Sequence, residues 1–394
     1  MLPDLTQSPT DPDFVQDPYA FYARARATGP LVMWTDYGMP AATTHAAVQA
    51  LLRDRRFGRE IPSELAKAPP PHLAPFYTVE DHSLLEAEPP RHTRLRGLVL
   101  RAFTSARIAA LAPWVEDLCN GLVDDFPTEP YDILQTYCTQ VPVLTIARLL
   151  GVPGEMAPQL LSWSHDMVAM YQSSRDRGVE DRAARAATEF STYIAGYADS
   201  RRDAPADDLI TDLLAAEAQG QRLSTQELVT TCILLLNAGH EATVHALGNG
   251  IRALIATGTG SVCTTSEGAE TAVEEILRHD PPLHVFTRYA YEDTELLGHR
   301  FHRGDQVALL LGSAGRDDTI WDAPNRFDPT RPAKPHAAFG AGLHFCLGAP
   351  LARLEIRTAL RVLFTRCPQI HMPEPAMFAN TYHFHGLTGL RVAL

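Results

Sequence analysis

Phe339-Gly340-Ala341-Gly342-Leu343-His344-Phe345-Cys346-Leu347-Gly348 runs directly into Ala349-Pro350-Leu351-Ala352-Arg353-Leu354-Glu355. The first ten residues read as a glycine-rich loop and the remainder as the opening of a helix. Two glycines spaced by one residue let the backbone adopt positive φ and approach a flat ligand closely. Residues 351–364 carry a helical apolar pattern, with Pro350 suited to the first turn. Cys346 is thereby delivered to a helix N-terminus, among unpaired N–H groups at the positive end of the dipole. Both effects favour thiolate over thiol.

A lone cysteine in such a loop is, taken by itself, more often a structural or idle thiol. Held beneath an aromatic cover from Phe339 and Phe345, a thiolate here also suits the axial position of a haem iron. The string resembles the cysteine-ligand loop of the cytochrome P-450 superfamily, the haem-thiolate monooxygenases, at Phe339, Gly340, Gly342, His344, Cys346 and Gly348. That resemblance implies a mainly α fold, one large helical domain over residues 1–394 with small β-sheets. It implies haem b as cofactor and Cys346 as the iron ligand, with Phe339, Gly340, His344 and Gly348 in its cradle.

Composition sets the outer bounds. The chain has 394 residues, and no Gly/Ser- or Pro-rich linker divides it. The first residues combine neither an apolar core nor a basic flank, and nowhere do eighteen apolar residues run together, so the sequence predicts a soluble cytoplasmic protein without a membrane contact. Six cysteines are scattered with no CxxC pair. This argues against a disulfide framework or zinc site and fits a reducing compartment. A net charge of −13 disfavours nucleic acid, which calls for a basic footprint.

Ahead of the loop, the pattern predicts a helix over 14–28, a small hairpin from 31–34 and 39–43, a helix over 44–53, and a proline-rich loop over 61–76. Phe76 and Tyr77 at its end are pocket candidates. His92 and Arg96, four apart, share one helix face and can grip a carboxylate. The resemblance gives that grip to a haem propionate. No Asp or Glu falls between Pro89 and Val115, where Arg91, Arg94, Arg96, Arg101 and Arg107 gather. On so acidic a chain this is a local basic surface that can steer an acidic ferredoxin-type electron donor. Helical patterns follow at 108–126, 139–150, 155–171 and 180–202; Met167, Val168, Met170 and Tyr171 are further pocket candidates.

Ser224 or Thr225 can cap a long helix, with Glu227 three residues after Ser224. Its interior reads Leu234-Leu235-Leu236-Asn237-Ala238-Gly239-His240-Glu241-Ala242-Thr243. Glycine and polar groups inside a helix are locally costly, and kinks or bulges there make room for a ligand. The stretch resembles the family's oxygen-binding helix. The resemblance puts Ala238 and Gly239 against the haem and makes Glu241 the acid that relays protons. The threonine usual directly after that acid is replaced by Ala242, with Thr243 one place later. One residue turns a side chain by about 100°, so Thr243 cannot stand in, and protons need an ordered water or a substrate hydroxyl.

Residues 256–270 read as a loop and 271–279 as a short helix carrying Glu275 and Arg278. These resemble the family's Glu-x-x-Arg pair, with Arg326 as the arginine that locks it. Arg288 matches a second propionate-binding arginine, alongside His344. Short strands are expected at 294–297 and 306–311, and residues 381–387 resemble a terminal hairpin. The candidate substrate pocket draws on Phe76, Tyr77, Leu234, Leu235, Asn237, Ala238, Val285, Phe286, Tyr382 and Phe384, with His284 and His383. The implied activity is a monooxygenase that uses dioxygen and external ferredoxin electrons to hydroxylate or oxidatively dealkylate a small, largely apolar organic molecule. Two alternatives follow from the same residues: a peroxide-driven haem-thiolate peroxygenase, and a non-enzymatic haem-binding sensor.

Overall fold

The computed structural model describes residues 1–171, 175–218, 221–381 and 384–394. The chain divides into two compact units. One comprises Met1–Leu65, Glu116–Cys138 and Ala242–Leu394, the other Ala66–Val115 and Thr139–Glu241.

The first unit is built on a six-stranded mixed sheet. Its strands lie in the order Asp4–Leu5, Leu31–Trp34, Met39–Ala42, Gln306–Leu310, Val285–Ala290, Phe57–Gly58. The hairpin expected near residue 31 is present, with Leu31 opposite Ala42 and Trp34 opposite Met39. Successive residues point to opposite faces, and both faces are buried. Val307 and Leu309 join Leu31, Val48, Leu51 and Phe57 on one side. Ala308 and Leu310 join Val32, Phe14, Phe21 and Trp34 on the other. The helix expected over 14–28 is two, Pro12–Gln16 and Tyr19–Thr28. Asp17, before Pro18, leaves the helical region at φ −144° and ψ 85°, since a following proline disfavours helical backbone.

Residues 256–270, which the sequence suggested as a loop, comprise the end of one helix, a 3-10 turn and the start of another. The central helix Thr225–Thr257 ends at Gly258, whose φ is +65°, the left-handed stop that favours glycine. A 3-10 turn, Gly260–Thr264, follows. The Thr265 hydroxyl then accepts from the Gly268 amide at 3.1 Å and caps Ser266–His279. Thr265, one of the residues that suggested a loop, is therefore a cap.

The second unit is mainly helical, with Ala74–Glu80, Arg91–Ala102, Gln140–Leu150, Ala157–Val168 and Arg177–Asp203 among its helices. Ala157–Val168 packs on Arg177–Asp203, where Trp163 stacks on Phe190 at 5.1 Å. Residues 74–76, the end of the expected loop, open the helix Ala74–Glu80; Pro75 sits in its first turn, where its missing N–H costs nothing. The predicted start of the central helix is a reciprocal capping box. The Glu227 amide donates to the Ser224 hydroxyl at 3.2 Å, and the Ser224 amide donates to the Glu227 carboxylate at 2.9 Å. The helix is continuous through Gly239, so no bulge opens there. Among the described residues no single helix is long and apolar enough to cross a membrane.

Candidate active site

In the first unit the glycine-rich loop turns twice. Gly340 (φ +68°) and Gly342 (φ +66°) are both left-handed. The Cys346 amide donates to the Phe339 carbonyl at 2.9 Å, which closes the loop on itself. Gly348 then precedes the helix Ala349–Arg366, with Pro350 in its first turn as expected. Cys346 is half-buried and so is Phe339. Phe345 is 41% exposed, its ring 6.4 Å from that of Phe339. A Cβ on Gly342 would lie 2.5 Å from the Leu52 carbonyl oxygen, and backbone cannot yield there. Gly342→Ala combines that clash with a strained φ, and we expect it to cost about 2–4 kcal/mol. A thermal melt within one degree of wild type would contradict this.

The loop is braced from its own side. Glu274 accepts from Arg353 at 2.6 and 2.9 Å and pairs with His336 at 3.2 Å. Burial alone would raise the Glu274 carboxyl, but the hydrogen bonds from Arg353 and then His336 outweigh it and hold it down at about 2. The Arg353 guanidinium also lies 4.5 Å from the Phe339 ring centroid. A cavity of about 340 Å³ opens beside the loop, lined by Gln49, Arg53, Phe339, Gly342, Phe345 and Arg353.

Glu275 and Arg278 form the expected ion pair, both fully buried, with two hydrogen bonds of 2.7 Å. Its third partner differs from expectation. Arg331, at 3.2 Å, is the arginine on the Glu275 carboxylate, whereas Arg326 offers its backbone carbonyl to Arg278 and turns its side chain to Asp328. Arg288 is buried on the strand Val285–Ala290 and donates to the Thr287 carbonyl at 2.8 Å. Phe286 packs into the core beside the loop, and a Cβ on Gly340 would lie 3.5 Å from its ring. His344 ends the 3-10 turn Gly342–His344 and is half-buried. Phe384 bridges Leu283 and lies 5.6 Å from the His245 ring. Tyr382 and His383 lie outside the described residues.

His284, a pocket candidate, instead belongs to a fully buried polar cluster. Asp280 pairs with His284 at 3.3 Å and His385 at 2.7 Å, while the Tyr19 hydroxyl donates to Asp280 at 2.7 Å. Burial pushes His284 down to about 4. The spacing of Asp280 and His284, four apart after a helix end, was the available signal.

In the second unit His92 is buried and Arg96 half-buried on the helix Arg91–Ala102. Phe76 is buried edge-on to a half-buried Tyr77, 5.4 Å between ring centroids. Met167 and Met170 are buried, whereas Tyr171 is exposed and donates to Glu80 at 2.8 Å. On the central helix Leu234, Ala238 and Glu241 lie on one face and are all at least partly exposed, while Leu236 and His240 are buried. Positions i, i+4 and i+7 form one stripe. Asn237 points its amide at the Met167 sulfur, 3.9 Å away, and its buried Oδ1 has no hydrogen-bond partner among the described residues. The site of a Cβ on Gly239 lies 3.0 Å from the Ile146 side chain, so this glycine admits the helix Gln140–Leu150. Within the first unit, Ala242 continues the helix and Thr243 is buried.

The donor set fits a haem. One cysteine sulfur on a left-handed glycine loop suits an iron ligand, and a buried guanidinium and a buried imidazole suit carboxylates.

The family model for cytochrome P-450 matches residues 269–381. The chain is 35% identical to the cytochrome P-450 monooxygenase PikC of Streptomyces venezuelae, over 91% of this chain and 86% of that protein. It is 35% identical to the vitamin D(3) 25-hydroxylase of Pseudonocardia autotrophica, over 91% and 88%. The structure of PksS from Bacillus subtilis, the cytochrome P-450 of the bacillaene polyketide synthase, superposes with a TM-score of 0.88 at 33% identity, covering 98% of this chain and 99% of that one.

Proposed function

Because the chain belongs to the cytochrome P-450 family, we propose that this monooxygenase hydroxylates or oxidatively dealkylates a small, largely apolar organic molecule with electrons from an external ferredoxin and reductase. The observation that carries the site assignment is Cys346, presented at a helix start by a loop locked through Gly340 and Gly342. When bound, haem b supplies the activation of dioxygen, and a thiolate ligand favours O–O cleavage.

Cys346 holds the iron in this reading, and Ala238, Phe339, Gly340 and Gly348 border the macrocycle. His92, Arg96, Arg288 and His344 take the propionates, since each offers an N–H to a carboxylate. By the family resemblance, Leu234 and Ala238 of the partly exposed stripe, with Phe76, Tyr77, Val285 and Phe384, are the candidate apolar contacts of the substrate. Asn237, with its buried Oδ1 unsatisfied among the described residues, suits a hydroxyl or amide donor on that molecule. The relatives named above include a vitamin D(3) hydroxylase and a polyketide-pathway enzyme. Both names support a carbon-rich substrate.

Glu241 carries protons inward from its place on the stripe. Ala242 contributes no hydroxyl and Thr243 is turned about 100° from that position on the helix, so the last donor is a water or a substrate hydroxyl. Glu241→Gln keeps the shape and removes the acid; we expect product formation to fall about a hundredfold, with the carbon monoxide spectrum of the reduced enzyme unchanged. A drop of less than threefold would remove Glu241 from the relay.

The basic stretch supports ferredoxin docking more narrowly than its composition suggests. Arg94 is paired with Glu227, and Arg107 with Asp207 and Asp212. Arg101 is exposed on the same helix. Arg101→Glu is therefore expected to slow ferredoxin-driven reduction about tenfold at low salt, with the difference shrinking at high salt. Equal rates at low salt would move docking elsewhere.

The deciding experiment compares product formed with a ferredoxin system against product formed with hydrogen peroxide, after screening candidate substrates by their shift of the ferric spectrum. Product only with ferredoxin supports the proposal. Product only with peroxide makes the enzyme a peroxygenase, and no product in either system across a broad library favours a sensor.

A further inference from the structure

We propose that His165, His240 and Glu241 form a binding site for a divalent transition-metal ion of the zinc class. The three lie within the second unit, His165 near the end of Ala157–Val168 and the other two on the central helix. Their ligand atoms, one from each, all lie within 4.8 Å of one another. His165 Nε2 and His240 Nδ1 are each 3.7 Å from the same Glu241 oxygen. That separation is too long for a hydrogen bond. It is close to the edge of a tetrahedral coordination sphere, about 3.3 Å for metal–ligand bonds of 2.0–2.1 Å. Those two edges need to close by only a few tenths of an ångström, and the third, between the two imidazoles and within 4.8 Å, closes with them as the exposed His165 side chain swings in.

The donor types agree with the geometry. Two imidazoles and one carboxylate suit zinc, nickel or cobalt and not calcium or magnesium, which take oxygen ligands. The His240 side chain is buried and so fixes one donor, whereas the His165 side chain is 56% exposed. Entry is therefore open from the His165 side, and a fourth ligand can be water. His165 also lies in the last turn of its helix, where the dipole favours a cation. By contrast, Asp280, His284 and His385 also come together but are sealed in by Tyr19 and Tyr22 and flanked by Arg252 and Arg316, which disfavours an added positive charge.

The consequence rests on the reading of Glu241 as the proton-carrying acid. An ion on its carboxylate takes that group out of proton traffic, so micromolar zinc should act as a reversible brake on turnover.

The test is calorimetric titration of zinc chloride into the tag-free ferric holoenzyme. We expect one tight equivalent in wild type, and affinity weaker by at least tenfold in His165→Ala and in Glu241→Gln, since even outer-shell changes weaken metal sites 10–100-fold. His165→Ala removes an exposed side chain, and an unaltered carbon monoxide spectrum verifies its fold. Absence of tight binding in wild type, or full affinity in His165→Ala, overturns the site. Substrate turnover with and without zinc, reversed by a chelator, is read alongside. Tight binding with inhibition supports both proposals. Tight binding without inhibition leaves the metal site standing and overturns the proton role of Glu241.

Discussion

Cys346→Ser yields a folded protein whose reduced carbon monoxide complex lacks the strongly red-shifted Soret band of thiolate-ligated haem. Product formation falls by at least about a thousandfold, an added barrier of roughly 4 kcal/mol. The fold survives because the contact that closes the loop is made by the Cys346 backbone: its amide donates to the Phe339 carbonyl whatever the side chain. Activity does not survive, because a serine hydroxyl is not ionised near neutral pH and donates far less charge than sulfur. No other thiol is suited to take over. Burial pushes Cys119, Cys232 and Cys263 up to about 12, and raises Cys138 and Cys367 as well. Cysteines held that way are inert. Cys346 differs in being half-buried and placed at the N-terminus of an eighteen-residue helix, where the dipole favours the thiolate. If the red-shifted band persisted in Cys346→Ser, another sulfur would have to be the ligand and the assignment would fail.

The cysteine loop was legible because its information is local. Two left-handed glycines, a cysteine and a proline in the first helical turn are dictated over a dozen residues. The capping box at Ser224 and Glu227, and the hairpin at Leu31, are local in the same sense. What the sequence did not reveal depends on where distant segments return. Arg326 and Arg331 are equally placed to reach Glu275 by spacing. The choice is made by turns in which Arg326 donates to the Ala323 carbonyl and Arg331 to the Asp328 carbonyl, with Ala323 itself left-handed at φ +45°. Proline density hid the helix Ala74–Glu80, because proline tolerated in a first turn and proline breaking a helix look alike in a string. Glycine in the central helix suggested an oxygen groove, but not that the site of a Cβ on Gly239 would lie 3.0 Å from Ile146, a contact with no sequence signature. Nor did any motif join His165 to Glu241, which meet only because two helices of the second unit cross there.

The pair Glu275–Arg278 shows how such returning segments hold the loop, and its disruption carries the second large effect. Glu275→Gln is expected to destabilise the protein by about 3–5 kcal/mol, a large share of the 5–15 kcal/mol typical of a folded chain. The reason lies in what the substitution leaves behind. The Glu275 carboxylate accepts from Arg278 twice and from the Asp328 amide at 2.8 Å, and pairs with Arg331. Arg278 in turn donates to the Gly315 carbonyl at 2.9 Å and the Pro324 carbonyl at 2.7 Å. One carboxylate thus neutralises two buried or nearly buried cations, and its amide isostere leaves both uncompensated while supplying an N–H where an acceptor is needed. Burying a charge without a partner is the costly case; replacing both partners by apolar groups can be almost neutral. A Glu275→Leu, Arg278→Met double variant should therefore be more stable than Glu275→Gln alone, even though it removes more hydrogen bonds. Because residues 315–331 precede the cysteine loop directly, lost stability is expected to appear first as lost thiolate-ligated haem. Urea unfolding followed by both helix content and the carbon monoxide band measures this. If Glu275→Gln lay within 1 kcal/mol of wild type, the pair would be an ornament of the fold and the support of Cys346 would have to come from Glu274 and Arg353 alone.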